Sequence, residues 1–491
     1  MHSNCLYLFL AGFLLATGSS ASVAKDTRAE TFQNPVLYED YPDNDISVGP
    51  DGAFYFSASN FHYSPGAPIL RSLDLVNCNG LWYWIGCTNF WITWVFTAKS
   101  VEGPWTNSAN FGGGNCFYDN GLLIDDDDTM YVVYGSGQVN VSQLSTDGFS
   151  VVKSQRVLQA SDVPTDSLEG NRMYKINGTY YILNDQPGST TYIWKSSSPW
   201  GPYEHKVLVQ NIGTPIEGGN SPHQGSLIQT AKGDWYYMSF TWAYPAGRMP
   251  VLAPVTWGAD GFPEFVKGSN GGWGSTYPLP LPSQPLYNWT RTYNFESELG
   301  PAWEWNHNPD VASFEVSNGV TLRTASVTDD IYSARNTLTH RIHGEFPKGT
   351  VEIDFSNAAD GDRFGLAAFR DQTAYVGIHR NGSAYTLTAV QNITIDEWSG
   401  NPVGPGQEVA SAPVPGGATK VWFRAELDAR ASGTRAANFL YSFDGVEFAQ
   451  LGPTYELYTG WAFFIAYRFG IFNFATKELG GSIKVESFTV A

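Results

Sequence analysis

Cysteine is nearly absent, with four residues in 491, and Cys5 falls inside the N-terminal segment, just before its apolar run. Once that segment is set aside, Cys78, Cys87 and Cys116 remain. An odd number allows at most one disulfide within the chain and leaves a thiol over. No metal-type Cys/His spacing accompanies them, which excludes a zinc module. Buried, unpaired cysteines are the expectation. Basic residues are also few: 28 Lys and Arg stand against 47 Asp and Glu, a formal charge of -19. That balance argues against nucleic acid or an anionic membrane as a partner. Amphipathic helical periodicity is hard to find after the N-terminus. The apolar run from Leu6 to Ala16 is far short of the roughly 20 residues a membrane span needs, and no later segment is long and apolar enough. With the small and polar residues that follow through Ser22, it reads as a secretory signal over residues 1–24, cleaved after Ala21 or Ala24. The mature chain is expected to be soluble, secreted and extracellular.

What the chain has in quantity is aromatics, at 15%, with 51 Gly and 28 Pro, a composition of short strands and tight turns. Five aromatic strands recur: Phe54-Tyr55-Phe56, Trp82-Tyr83-Trp84, Met130-Tyr131-Val132, Tyr180-Tyr181-Ile182 and Trp235-Tyr236-Tyr237. Most follow a turn signal, among them Asp51-Gly52, Asn177-Gly178 and Gly233-Asp234. The later repeats are spaced by about 40–50 residues, the length of a four-stranded blade. The first two lie much closer together, which predicts a truncated second blade. The expected fold is all-β: a five-bladed propeller over residues 25–266, a Gly-, Ser- and Pro-rich linker or strap over 267–287, and a two-sheet sandwich over 288–491. Alternating runs such as Val351-Glu352-Ile353-Asp354-Phe355 and Lys420-Val421-Trp422-Phe423-Arg424 support the sandwich. Sequons at Asn140, Asn177, Asn288, Asn381 and Asn392 are candidates for glycosylation on a secreted chain.

Three acidic residues stand ahead of the repeats. Asp43 lies in Tyr41-Pro42-Asp43-Asn44-Asp45, Asp119 in Phe117-Tyr118-Asp119-Asn120-Gly121, and Glu169 in Leu168-Glu169-Gly170-Asn171-Arg172. Each precedes its aromatic strand by about ten residues, an offset that places it on or near the innermost strand of its blade. Taken singly, each has a plainer reading. Asp43 and Asp119 sit in good turn sequences, and Glu169 fits a strand end. The run Asp125 to Asp128 looks like a solvated hairpin tip rather than a metal site. Equivalent placement in separate repeats is what raises the trio, because a carboxylate pair across a pocket is the minimum equipment for hydrolysing a glycosidic bond.

Those segments carry a resemblance. Gln33-Asn34-Pro35-Val36, Tyr41-Pro42-Asp43, Tyr63-Ser64-Pro65-Gly66-Ala67-Pro68-Ile69, Asp119 with Leu122-Leu123-Ile124-Asp125-Asp126-Asp127, and Glu169-Gly170-Asn171-Arg172-Met173-Tyr174-Lys175 resemble glycoside hydrolase family 43. The region from Trp303 onward, with Arg335-Asn336-Thr337-Leu338-Thr339 and Asp360-Gly361-Asp362-Arg363, resembles the concanavalin-A-like sandwich that follows such propellers. The resemblance implies an inverting hydrolase, with Asp43 as general base, Glu169 as general acid and Asp119 orienting that acid and tuning its pKa. It implies that Arg248 contacts a sugar hydroxyl, against the plainer reading of an exposed loop arginine. It also implies that His223 faces a bound structural calcium at the propeller axis or its waters, against the plainer reading of a satisfied buried histidine, and that no cofactor is required. The implied activity is release of α-L-arabinofuranose from arabinoxylan by a monomer, with β-xylosidase as the alternative within the family. Relatives carry an innermost second-blade strand where Cys78-Asn79-Gly80-Leu81 here runs straight into Trp82. That difference keeps open a non-catalytic carbohydrate-binding protein.

Overall fold

In a computed structural model the described residues are 31–282 and 289–491, apart from 50, 67, 73–81 and 397. The expected signal, Cys78 and Asn288 lie outside them. Among the described residues the regular structure is strand, broken by two short 3₁₀ turns, Ala160–Asp162 and Ala462–Phe464.

Five antiparallel sheets follow in chain order. The third, fourth and fifth have four strands each: Gly121–Ile124 to Val151–Gln159, Glu169–Ile176 to Glu204–Gln210, and His223–Gln229 to Pro263–Phe265. Their strands are sequential neighbours joined by tight turns, such as the two-residue Asn177-Gly178 turn between Ile176 and Thr179. In each, the aromatic repeat forms the second strand, so a further strand lies inside it. The first strands meet around a ring: Gly121–Ile124 touches Glu169–Ile176, which touches His223–Gln229, which touches Asp45–Val48. Together the five sheets make a five-bladed propeller.

The expected truncation falls on residues 73–81, which lie outside the described residues. The second sheet has three described strands, Trp82–Thr88, Ile92–Ala98 and Thr106–Asn110, and its aromatic strand is the first of them. The inner strand that precedes this repeat in the other sheets is missing among the described residues. The first sheet also has three described strands, Asp45–Val48, Phe54–Ser57 and Ile69–Ser72.

The cysteine expectation was wrong. Cys87 and Cys116 form a disulfide across 29 residues, with their Cα atoms 5.2 Å apart, and both are part-exposed rather than buried. The bond joins the end of the Trp82–Thr88 strand to the segment that leads into Asp119. Sequence separation says nothing about this proximity, because the two cysteines meet only once the second sheet has folded back on itself. Of the sequons, Asn177, Asn381 and Asn392 are exposed and Asn140 is half-buried within Gln138–Leu144.

Residues 267–282 run as a strap. Trp273 is fully buried against Tyr237 and Phe265, and Thr276–Pro278 pairs with Thr31–Gln33. The C-terminal part is a sandwich of two antiparallel sheets whose strands bury alternate residues, as Lys420–Leu427 does along its whole length. Its second sheet extends onto the propeller chain: Tyr63–Ser64 pairs with Trp303–Asn306. Its core also takes in Ile216, Ala243, Ala246 and Met249 from the fifth blade region.

A buried ionic cluster fastens this junction. Glu304 accepts from both Arg341 and Arg468, and Asn60 Nδ2 donates to its Oε1 at 2.5 Å. Arg341 also reaches the Asp40 carbonyl and Asn60 Oδ1. Burial opposes the charge on Glu304, but the two guanidiniums outweigh it and hold its pKa at about 2. Glu304→Gln would leave two buried cations without their counter-charge, a loss of about 3–5 kcal/mol. The variant should melt several degrees below the native chain, and an unchanged midpoint would show that the cluster contributes little.

Candidate active site

The three carboxylates sit at the starts of inner strands. Asp43 precedes Asp45–Val48, Asp119 precedes Gly121–Ile124, and Glu169 opens Glu169–Ile176. Asp43 and Asp119 adopt left-handed backbone conformations, with φ of 55° and 46°, as at a turn that aims a side chain away from the strand that follows. The turn reading of these residues is therefore compatible with the site reading.

The structure ties them together through the backbone. Asp119 Oδ2 accepts from the Gly170 amide at 2.9 Å, and the Asp119 carbonyl accepts from the Asn171 amide at 3.1 Å. Asp119 thus fixes the residue next to Glu169. Arg172, buried, donates from Nη2 to the carbonyls of Asp43 and Asn44, both at 3.1 Å, and pairs with Asp45. It locks the Asp43 turn to the Glu169 strand. Gly170 explains its own identity: at φ 66°, an added Cβ would lie 2.3 Å from Asp185 Oδ1 and 2.6 Å from Gln224 Cγ.

The electrostatics divide the trio. Asp43 is bonded to Arg248, Nη1 to Oδ1, at 2.6 Å. Glu169 Oε2 accepts from Ser136 Oγ at 3.4 Å; burial first, then the charge of Asp43, pushes its pKa up. Asp119 is also raised, by burial and then by Asp43 and Glu169. One carboxylate is paired with a cation while another retains its proton more readily, which is how an acid and a base are separated at one pH.

Arg248 is not the exposed loop residue of the plainer reading. It is buried, its amide donates to Asp40 Oδ1 at 2.7 Å, and its guanidinium lies over Phe240, Trp242 and Phe464. His223 is fully buried, with Nδ1 3.0 Å from the Ser221 carbonyl and its ring edge-on to Phe240 and Trp242. Burial lowers its pKa to about 4. Among the described residues no group of three His, Cys, Asp or Glu side chains is placed to hold a metal ion.

Two contributors escaped the sequence reading. Asp185 pairs across the sheet with Glu169, is 1% exposed, and neither carboxylate oxygen has a hydrogen-bond partner among the described residues. Burial, followed by the charges of Glu169, Asp119 and Asp43, raises its pKa well above the carboxylate range, against the pull of Arg172. A raised carboxyl adds stability below its unfolded value of about 3.9 and loses it as pH rises. Asp185→Asn, which cannot ionise, should therefore flatten the fall in melting temperature between pH 5 and 8. Parallel slopes for both proteins would mean that Asp185 carries no such penalty. The second contributor is the sandwich itself: Phe464 lies 5.0 Å from the Arg248 guanidinium and stacks on Phe61, while Trp461 stacks on Trp242. Beside them a groove of about 610 Å³ runs between Phe61–Gly66 and Thr88 on one side and Asn306–Asn308 and Tyr332–Arg335 on the other.

Known proteins share this fold. Residues 77–263 match the family described as Glycosyl hydrolases family 43, and residues 292–491 match the Beta xylosidase C-terminal Concanavalin A-like domain. A solved family 43 glycoside hydrolase, engineered to display both endo-xylanase and exo-arabinofuranosidase activity, superposes with a TM-score of 0.87. It is 38% identical, over 94% of this chain and 99% of that one.

The chain belongs to glycoside hydrolase family 43.

This family 43 chain is a glycosidase by that membership. It is 27% identical to a β-xylosidase of Formosa agariphila, over 94% of this chain and 90% of the relative. It is 31% identical to a non-reducing end α-L-arabinofuranosidase of Bacteroides ovatus, over 63% of this chain and 66% of the relative. The propeller match includes Asp119, Glu169 and Arg248 but begins after Asp43, whose place in the site rests on its bond to Arg248.

Proposed function

We propose that this family 43 chain is secreted and releases α-L-arabinofuranosyl residues from arabinoxylan by single displacement with inversion. Glu169 protonates the departing glycosidic oxygen, Asp43 takes a proton from the attacking water, and Asp119 holds Glu169 in place through the Gly170 amide. The observation that carries this reading is the division of charge: Asp43 is paired with Arg248, while burial and the charge of Asp43 favour the protonated form of Glu169. Inversion needs acid and base roughly 6.5–9.5 Å apart, with room for water between them. Carboxylates on separate blades can provide that gap where neighbours on one strand cannot. The Bacteroides ovatus arabinofuranosidase supports the choice of pentose.

The Formosa agariphila relative supports β-xylosidase as a second reading of the same site. Parallel assays on aryl α-L-arabinofuranoside and aryl β-D-xyloside separate the two. The proposal expects the arabinofuranoside to turn over faster, and the reverse order would transfer the assignment to xylose. The short second blade supports a binding-only reading, which predicts retardation in arabinoxylan gels with no pentose released from either substrate.

A further inference from the structure

The hairpin between Trp82–Thr88 and Ile92–Ala98 ends in two large aromatic side chains turned to solvent. Phe90 is 76% exposed and Trp91 is 62% exposed. Water-facing rings of this size are ordinarily a cost, yet everything around them is fixed. The Cys87–Cys116 disulfide anchors the hairpin one residue before Thr88. Thr93 Oγ1 donates to the Asn115 carbonyl and accepts from the Phe117 amide, both at 2.7 Å, and the Gly114 amide donates to the Trp91 carbonyl at 2.8 Å. The Trp91 indole lies against the backbone of Gly113 and Gly114, where a Cβ on Gly113 would come 2.7 Å from Nε1. Asn89 and Phe90 both hold φ of 52°, the left-handed conformation that presents the tip outward. This is a rigid display of aromatic surface.

Its position relates it to the chemistry. The Phe90 ring stacks on Tyr118 at 5.9 Å and 26°, and Tyr118 directly precedes Asp119. Tyr118 lies in the field of Asp119, Glu169 and Asp43, whose charges raise its hydroxyl pKa after burial does. On its other side the hairpin continues into Thr88, which lines the 610 Å³ groove toward the sandwich. The hairpin therefore reaches the residue before Asp119 through the Phe90–Tyr118 stack and the groove through Thr88. Pyranose rings present flat C–H faces that pack on aromatic rings, and a rigid, pre-exposed ring loses little side-chain freedom on binding. The chain's -19 charge suits a neutral ligand there.

We propose that Phe90 and Trp91 form a stacking subsite for the pyranose backbone of the polysaccharide, outside the pocket that takes the cleaved sugar. The proposal rests on the arabinoxylan reading above and adds where the polymer is held. The native full-length chain, Phe90→Ala, Trp91→Ala and the double variant would be secreted from a eukaryotic host and assayed on arabinoxylan and on an aryl α-L-arabinofuranoside. For each single variant the ratio of kcat/KM on polymer to kcat/KM on the aryl substrate should fall about 5- to 10-fold, and further for the double variant. Trp91→Ala leaves the Phe90–Tyr118 stack in place, so a polymer-selective loss in that variant cannot arise from disturbing Asp119. An unaltered ratio, whether both rates hold or both fall together, would overturn the subsite. If the native chain releases no sugar from either substrate, the hydrolase reading fails on its own, and the subsite is then read from mobility in arabinoxylan gels. Retardation of the native chain that the double variant has lost supports the subsite, and equal mobility overturns it.

Discussion

Glu169→Gln should lower kcat on arabinoxylan by about 10²–10⁴-fold, while the rate on an aryl arabinofuranoside with a strongly acidic phenol falls far less. The difference follows from what the residue supplies. An alkoxide leaving a xylose ring needs a proton in the transition state, whereas a stabilised phenolate leaves without one. Burial and the charge of Asp43 push the pKa of Glu169 up, and glutamine preserves the shape while removing the proton. Equal losses on good and poor leaving groups would remove Glu169 from the acid's role and return it to a strand end.

Asp43→Asn should instead fail on every substrate alike, by about 10²–10⁴-fold in kcat, because activation of water is required whichever group departs. The same change carries a second signature. The negative charge of Asp43 is the leading electrostatic cause of the raised pKa of Glu169, after burial. Removing it makes Glu169 easier to ionise, so the alkaline limb of the residual activity should move to lower pH. Loss on poor leaving groups alone, or an alkaline limb displaced upward, would contradict the base assignment. Arg248, bonded to Asp43 in the native chain, would lose its counter-charge in this variant, so a melting curve is needed alongside the kinetics.

The parts of this molecule that could be read from sequence are those written locally. Turn residues followed by aromatic triplets mark the second strands of blades, and a gap too short for a blade marks the second sheet, whose aromatic strand heads its sheet among the described residues. Asp43, Asp119 and Glu169 could be picked out by their equal offset from those strands. What stayed hidden is made by contacts between distant segments. Cys87 and Cys116 meet only after the second sheet forms. Asp185 looks like a polar residue before a Pro-Gly turn until its strand is paired with that of Glu169, where it becomes a buried, unpartnered carboxyl. Arg172 gives no hint in sequence that it spans from Asp45 to Asn171. Phe464 and Trp461, more than 200 residues beyond Arg248, come to it only because the sandwich shares a core with the fifth blade region.

The most direct test of the central claim is the configuration of the first sugar released, followed by proton NMR while the native chain hydrolyses an α-L-arabinofuranoside. An acid and a base on separate blades, with water between them, predict β-L-arabinofuranose as the initial product, with the α-anomer appearing only as the sugar mutarotates. If the α-anomer appears first, the reaction runs through a covalent intermediate, and the assignment of Asp43 as the base that activates water is wrong.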